Sequence, residues 1–169
     1  MEITINSPKH GEFKFLIDDE DYEKVKDYRW YVVVDEDRRY VRAHEKKSEN
    51  YSKVRLHRLI MNYSGNMFVD HINGNGLDNR KENLRICTNS ENNMNSIKRK
   101  KGTSVYKGVS FDKSRNKYES YITINKKKIH LGRYETEEQA AQAYNNVVEN
   151  HFGRFARPNE NIMMNKGFH

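Results

Sequence analysis

Val69 to Asn95 reads VDHINGNGLDNRKENLRICTNSENNMN, and this stretch decides how the chain is organised. Phe68 and Val69 suit a short strand, Gly74, Asn75 and Gly76 turn the chain, and Leu84, Arg85 and Ile86 suit a return strand. Thr88 is a good N-cap for the helix that follows, with Glu91 three residues on to complete a capping box. Strand, loop, strand and helix are therefore expected within one short unit. An acid beside an imidazole, Asp70 and His71, then offers a hard-metal ligand and a general base from adjacent positions. Neighbours in a regular strand point to opposite faces, so the two can converge only where the strand ends and bends, which the Asn73 to Gly76 run permits.

Length and composition limit what this unit is attached to. The chain has 169 residues, of which 35% are hydrophobic and 33% charged, so any core is modest and the surface is large and polar. Small modules are expected. The net charge of +7 is unevenly placed: residues 1–62 hold 13 Lys/Arg against 13 Asp/Glu, and residues 63–169 hold 18 against 11. Within Ser96 to Tyr134 there are 12 Lys/Arg and only Asp112 and Glu119 as acids, the local surplus that a polyanion partner requires. Cys87 is the only cysteine, which rules out an internal disulfide and a cysteine-based zinc knuckle. With no secretory leader pattern and no run of 18 apolar residues, the expectation is a soluble protein of the cytoplasm, without membrane association.

The fold class expected is α+β. Residues 1–62 read as a small α+β layer, with strands over Glu12 to Leu16, Trp30 to Val34 and Tyr40 to Ala43, an acidic helix over Asp18 to Tyr28, and Val54 to Tyr63 passing from strand to helix. Residues 68–95 form the motif, and 1–95 together make a first domain. Residues 96–104 read as a basic linker. Beyond it, Val105 to Phe111, Tyr118 to Ile124 and Lys128 to Tyr134 predict a three-stranded antiparallel meander. Thr136 starts a helix with Gln139 closing a capping box, and Ala140, Tyr144, Val147, Val148 and Phe152 give it one apolar face. This second domain spans 105–159, and 160–169 is a tail.

The whole motif resembles the HNH (His-Asn-His, ββα-metal) endonucleases, in particular the phage and intron homing type that carries DHINGN, LDNR, NLR and EN in this order. The resemblance implies that His71 is the general base, that Asp70 and Asn92 bind a metal, and that Asn83 holds the loop through backbone hydrogen bonds and so orients the histidine. Asn79 is the rival for that middle position, read here as a turn residue. Asn92 in place of a final histidine favours magnesium or manganese over zinc or nickel. His57, in LHRLIM, reads as a histidine packed between strand and helix, with a place near the site as the other reading. Trp30 reads as core and Cys87 as structural.

From Gly102 to Asn159 the phrases YKGVSFD, KYESYITI, KKIHLGRY, TEEQAAQAY and NHFGRFA resemble the plant ethylene-response-factor (APETALA2) DNA-binding domain. That resemblance implies a sheet entering the major groove of double-stranded DNA, braced by a helix. Carried over by position, Lys107, Thr123, Lys128 and His130 fall where such domains contact DNA. Ser110 and Asp112 cannot make the bidentate arginine contact to guanine, so the plant target sequence is not inherited. Arg115, Lys117, Lys126 and Lys127 join them as phosphate contacts, as do Lys98, Arg99, Lys100 and Lys101 of the linker. The resulting expectation is a site-directed, nicking DNA endonuclease of homing type that needs Mg2+ or Mn2+ and no small-molecule cofactor, as a monomer or a dimer. The alternatives are a DNA-binding regulator with a vestigial nuclease half and a protein acting on RNA.

Overall fold

The computed structural model describes residues 1–35, 38–47, 50–96, 98 and 102–160. Arg99, Lys100 and Lys101 lie outside the described residues. The chain forms two compact units, Met1–Thr88 and Asn89–His169.

In the first unit β1 (Glu2–Ser7) pairs antiparallel with β2 (Gly11–Leu16). The expected acidic helix is instead a 3-10 turn, Asp19–Asp21, followed by the single α-helical turn α1 (Tyr22–Val25). Its acids are stacked at the start, and only Val25 reaches the core fully, so little apolar face exists to support a longer helix. A second sheet runs β3 (Trp30–Asp35), β4 (Arg38–Lys47), β5 (Asn50–Arg55) in that spatial order, antiparallel throughout. The strand-to-helix passage read from Val54 onward occurs at Arg55, where α2 (Leu56–Ile60) begins. The core gathers Ile5, Phe15, Ile17, Val25, Val32, Val41, Leu56, Ile60, Val69 and Leu84, so one hydrophobic cluster joins every layer of this unit to the ribbon that follows. Trp30 packs against that cluster and donates its indole N–H to the Val25 carbonyl at 2.9 Å.

That ribbon is β6 (Phe68–His71) with β7 (Leu84–Cys87), antiparallel, with Asp70 opposite Arg85 and His71 opposite Leu84. The connecting loop is stitched to the N-terminal layer. The Leu16 amide donates to the Leu77 carbonyl and the Asn79 amide to the Leu16 carbonyl, both at 2.8 Å, and the Lys81 amide donates to the Asp18 carboxylate at 2.8 Å. Gly76 comes so close to β4 that a Cβ there would run into the Arg39 carbonyl and the Tyr40 ring. The layer of residues 1–62 thus acts as a bed for the loop.

In the second unit α3 (Asn89–Asn95) precedes a meander of β8 (Val109–Asp112), β9 (Lys117–Ile124) and β10 (Lys127–Tyr134). The β9–β10 turn places Asn125 and Lys126 at φ 49° and 66°, the mirror-image geometry that suits a two-residue hairpin. Helix α4 (Glu137–Phe152) opens with the capping box of Thr136 and Gln139 and packs Ala140, Ala141, Tyr144 and Val148 against the sheet. Gly108, at φ 74°, faces the Tyr144 ring so closely that no side chain would fit. The first strand is shorter than expected, since Val105 is exposed and the chain before Val109 is irregular.

One further finding departs from the sequence reading. Helix α3 packs within the second unit, where Met94 is buried with Ile122, Tyr144 and Val148. The chain at Asn159 is firmly tied: its side chain pairs with the backbone N–H and C=O of Lys107, and its own backbone pairs with the Asn145 amide.

Candidate active site

Asp70 and His71 close β6, and both are buried. Their partners differ, as strand geometry requires. The Asp70 carboxylate accepts from Arg85 across the ribbon, Oδ2 lying 3.0 Å from Nη2 and 3.2 Å from Nε. The two side chains of this ion pair are only 10% and 11% exposed, so it is held in a poorly solvated place.

His71 faces a different set of groups. Its Nε2 lies 3.1 Å from Oδ1 of Asn79, which is fully buried and whose Nδ2 donates to the Gly76 carbonyl at 3.3 Å. That second bond fixes which end of the amide meets the ring. Since an amide oxygen only accepts, the hydrogen belongs on Nε2, and Nδ1 is the basic nitrogen of the neutral ring. Burial pushes the His71 pKa below the ordinary imidazole value, against the opposing pull of the Asn79 bond and of Asp70 and Asp78. Asn79, read from sequence as a turn residue, is thus a direct partner of the imidazole. Nothing in the phrase LDNR separates its two possible uses; only the fold brings it under the ring.

Asn83 spans the loop. Its Oδ1 accepts from the Asn73 amide at 3.0 Å, its Nδ2 donates to the Asp78 carbonyl at 2.7 Å, and its own carbonyl accepts from the Ile72 amide at 2.8 Å. Asp78 adds a second tie, taking Arg80 through Nε at 2.9 Å and Nη2 at 2.8 Å and the Asn73 amide nitrogen at 3.1 Å. The loop beside the histidine is therefore held by hydrogen bonds at both ends.

His57 on α2 packs edge-on against His71, with ring centroids 5.1 Å apart, and the Tyr40 ring lies 6.3 Å away on another side. The structure joins the two sequence readings of His57, which is packed between strand and helix and also touches the site histidine. Burial, with His71, Arg55, Arg58 and Arg42 nearby, pushes its pKa down to about 3. A histidine so depressed stays neutral when folded but takes a proton when unfolded, so stability is full above about pH 6.5 and falls as the pH drops toward 3. Substituting glutamine for His57 should reduce the loss of unfolding free energy between pH 7.5 and pH 5 by about 1 to 2 kcal/mol in paired urea titrations. An equal loss in both proteins would contradict the assignment.

Asn92 lies on α3 in the second unit, half-buried. Among the described residues no cluster of three or more His, Cys, Asp or Glu side chains forms a metal cage. Asp70 offers a buried carboxylate oxygen, a hard donor of the kind that a divalent metal ion takes.

The expected DNA-contact residues are spread differently from one another. The register puts Lys117, Thr123, Lys128 and His130 on the sheet face opposite α4, together with Tyr121 and Arg133. Lys128 lies over the Tyr121 ring at 4.0 Å, and Glu119 draws Arg133 at 2.9 Å and His130 at 3.7 Å. Lys126 and Lys127 are exposed at the hairpin turn, and Arg115 is exposed at the other hairpin, bonded to Asp112 at 3.0 Å. Lys98 is half-buried beside Gly102. The Lys107 ammonium donates to the carbonyls of Asn93, Met94 and Ser96 at 2.9, 2.7 and 2.9 Å, capping the end of α3.

An antiparallel ribbon ending in an acid and an imidazole, a loop clamped by asparagines and a following helix define a metal-dependent nuclease of the ββα type. Comparison with known proteins agrees. Residues 54–94 match the HNH endonuclease family. The chain is 33% identical over 156 residues to an uncharacterized HNH endonuclease of Acanthamoeba polyphaga mimivirus, covering 89% of this chain and 76% of that protein. It is 34% identical over 90 residues to protein 3.8 of Escherichia phage T7, covering 53% of this chain and 74% of the phage protein. The chain belongs to the HNH endonuclease family and is a nuclease, acting on DNA with a divalent metal. No helix among the described residues is long and apolar enough to cross a membrane.

Proposed function

We propose that this endonuclease nicks duplex DNA at chosen sites, with His71 as general base and magnesium or manganese as its ion, in the manner of a homing enzyme working in the cytoplasm of a host cell. The observation that carries the reading is the pairing of His71 Nε2 with buried Asn79. That bond holds the ring in place and sets its hydrogen on Nε2, which makes Nδ1 the more basic nitrogen of the neutral ring. Asp70 and Asn92 would hold the ion, which when bound stabilises charge on the phosphate and the leaving 3′ oxygen. Asn83 positions the histidine through the loop, and burial lowers the His71 pKa, which favours the neutral ring that a base requires. One such site cuts one strand, so a double-strand break would need a dimer or two events.

For the second unit, the three-stranded sheet of ethylene-response-factor type is assigned the reading of duplex DNA. Lys117, Thr123, Lys128 and His130 line its open face, and Arg115, Lys126 and Lys127 take phosphates at its hairpins. Lys98 of the basic run is assigned the same role.

The test is supercoiled plasmid incubated with Mg2+. Open-circular product is expected, with no cutting in EDTA but a retained gel shift. Plasmid that is bound yet intact with either metal would favour the rival reading, a DNA-binding regulator. Cutting that persists in chelator would exclude the one-metal scheme.

A further inference from the structure

Asp70 and Arg85 are direct cross-strand partners, and the ribbon that carries them is held in register, because their chain neighbours Val69 and Leu84 are set in the core of the unit. The guanidinium is therefore built onto the carboxylate, with Nε and Nη2 both donating to Oδ2. It is also poorly hydrated. Lys24, Arg80 and Lys81, the cations that pair with Asp21 and Asp78, have side chains 46%, 40% and 40% exposed, against 11% for Arg85. Water and salt screen those three charges far more than they screen that of Arg85.

A second cation brought to Asp70 meets this charge. The carboxylate attracts a divalent ion, and the guanidinium on the same carboxylate repels it from a few ångströms away, where like charges interact strongly if water is scarce. Among the described residues no group of three or more His, Cys, Asp or Glu side chains offsets that repulsion. Asp78, in the loop beside His71, is committed to Arg80 and Asn73. Magnesium-type ions are commonly held by one or two carboxylates together with phosphate oxygens of the substrate. A backbone phosphate of DNA is thus the anion that completes this site.

We propose that Arg85 makes divalent-metal binding depend on DNA: held on Asp70, it keeps the free protein's affinity for the ion low, and a phosphate of the bound strand restores it. The proposal rests on the reading of Asp70 as a metal ligand. Arg85 acts through Asp70, as a positioning residue that sets both the place of the carboxylate and the charge it presents. By linkage the coupling runs both ways, so the ion tightens the hold on DNA by the same factor. The nuclease then takes up its metal on the substrate and not in solution.

The experiment reads bound Mn2+ from the loss of the free-ion EPR signal at pH 8, using the full chain with His71→Ala so that the strand stays whole during the measurement. Duplex alone and the Asp70→Asn protein set the baseline for ion held elsewhere. Adding duplex should tighten Mn2+ binding by about 10-fold or more. Without duplex, Arg85→Gln should tighten it by about 10-fold, because the side chain keeps a donor and loses the charge, and duplex should then add little. Arg85→Lys keeps the charge and should bind Mn2+ as the parent does. A purely structural role for Arg85 would loosen the carboxylate and weaken Mn2+ binding in both variants, which would overturn the proposal. Equal Mn2+ affinity with and without duplex in the parent would overturn it as well, and that result needs no Arg85 variant to fold. Mn2+ binding retained in full by Asp70→Asn would strike the reading of Asp70 as a ligand, and this proposal with it.

Discussion

His71→Ala is expected to slow plasmid nicking by about 10²- to 10⁴-fold, the range that a positioned general base supplies. The gel shift in EDTA should stay within a few-fold of wild type, because the ring is buried and offers little surface to DNA. The variant also leaves Asn79 Oδ1 without its ring partner, so some stability goes with it, about 1 to 3 kcal/mol for a buried acceptor left unmade. A companion, Asn79→Ala, separates orientation from proton transfer. It keeps the base and removes its anchor, so nicking should fall by less and its acid limb should move. A His71→Ala protein that nicks at the wild-type rate would remove His71 from the chemistry and place the base elsewhere in the unit.

Asp70→Ala carries the second large effect, and it acts on two properties at once. Cleavage should drop below detection at ordinary Mg2+ because the hard oxygen donor is gone. Stability should also fall, by about 3 kcal/mol, because the Arg85 guanidinium stays in a poorly solvated place without this carboxylate. The two effects can be pulled apart. Asp70→Ala/Arg85→Met removes the poorly solvated charge as well and should recover much of the melting temperature while remaining inactive. Recovery of nicking together with stability would show that Asp70 serves only the fold.

Much of the site could be read from the sequence because it is local. Strand, loop, strand and helix lie within 27 consecutive residues, and the glycines, asparagines and N-cap threonine announce their own turns. The meander and its helix were legible for the same reason, through alternation, hairpin residues and a capping box. What escaped depends on groups far apart in sequence. β1 carries only Ile3 and Ile5 as apolar residues, too few to mark a strand until β2 pairs with it. Lys107 looks like any cation of a basic segment, and only the fold puts it on the carbonyls of α3. Asn79 lies eight residues beyond His71 in a loop rich in asparagine, where spacing cannot tell a turn-former from a ring partner.

The rooting of α3 through Met94 bears on how such genes can be rearranged. The basic run after α3 looks like the natural seam at which evolution, or an engineer, would trade one C-terminal module for another. A joint made there would transplant the sheet without its helix and leave Met94 stripped of Ile122, Tyr144 and Val148. Viable chimaeras should instead join at Thr88, inside the nuclease signature, so that the last piece of the cutting motif travels with the module that it packs against. Lineages that shuffle their C-terminal halves would then show their breakpoints within the motif.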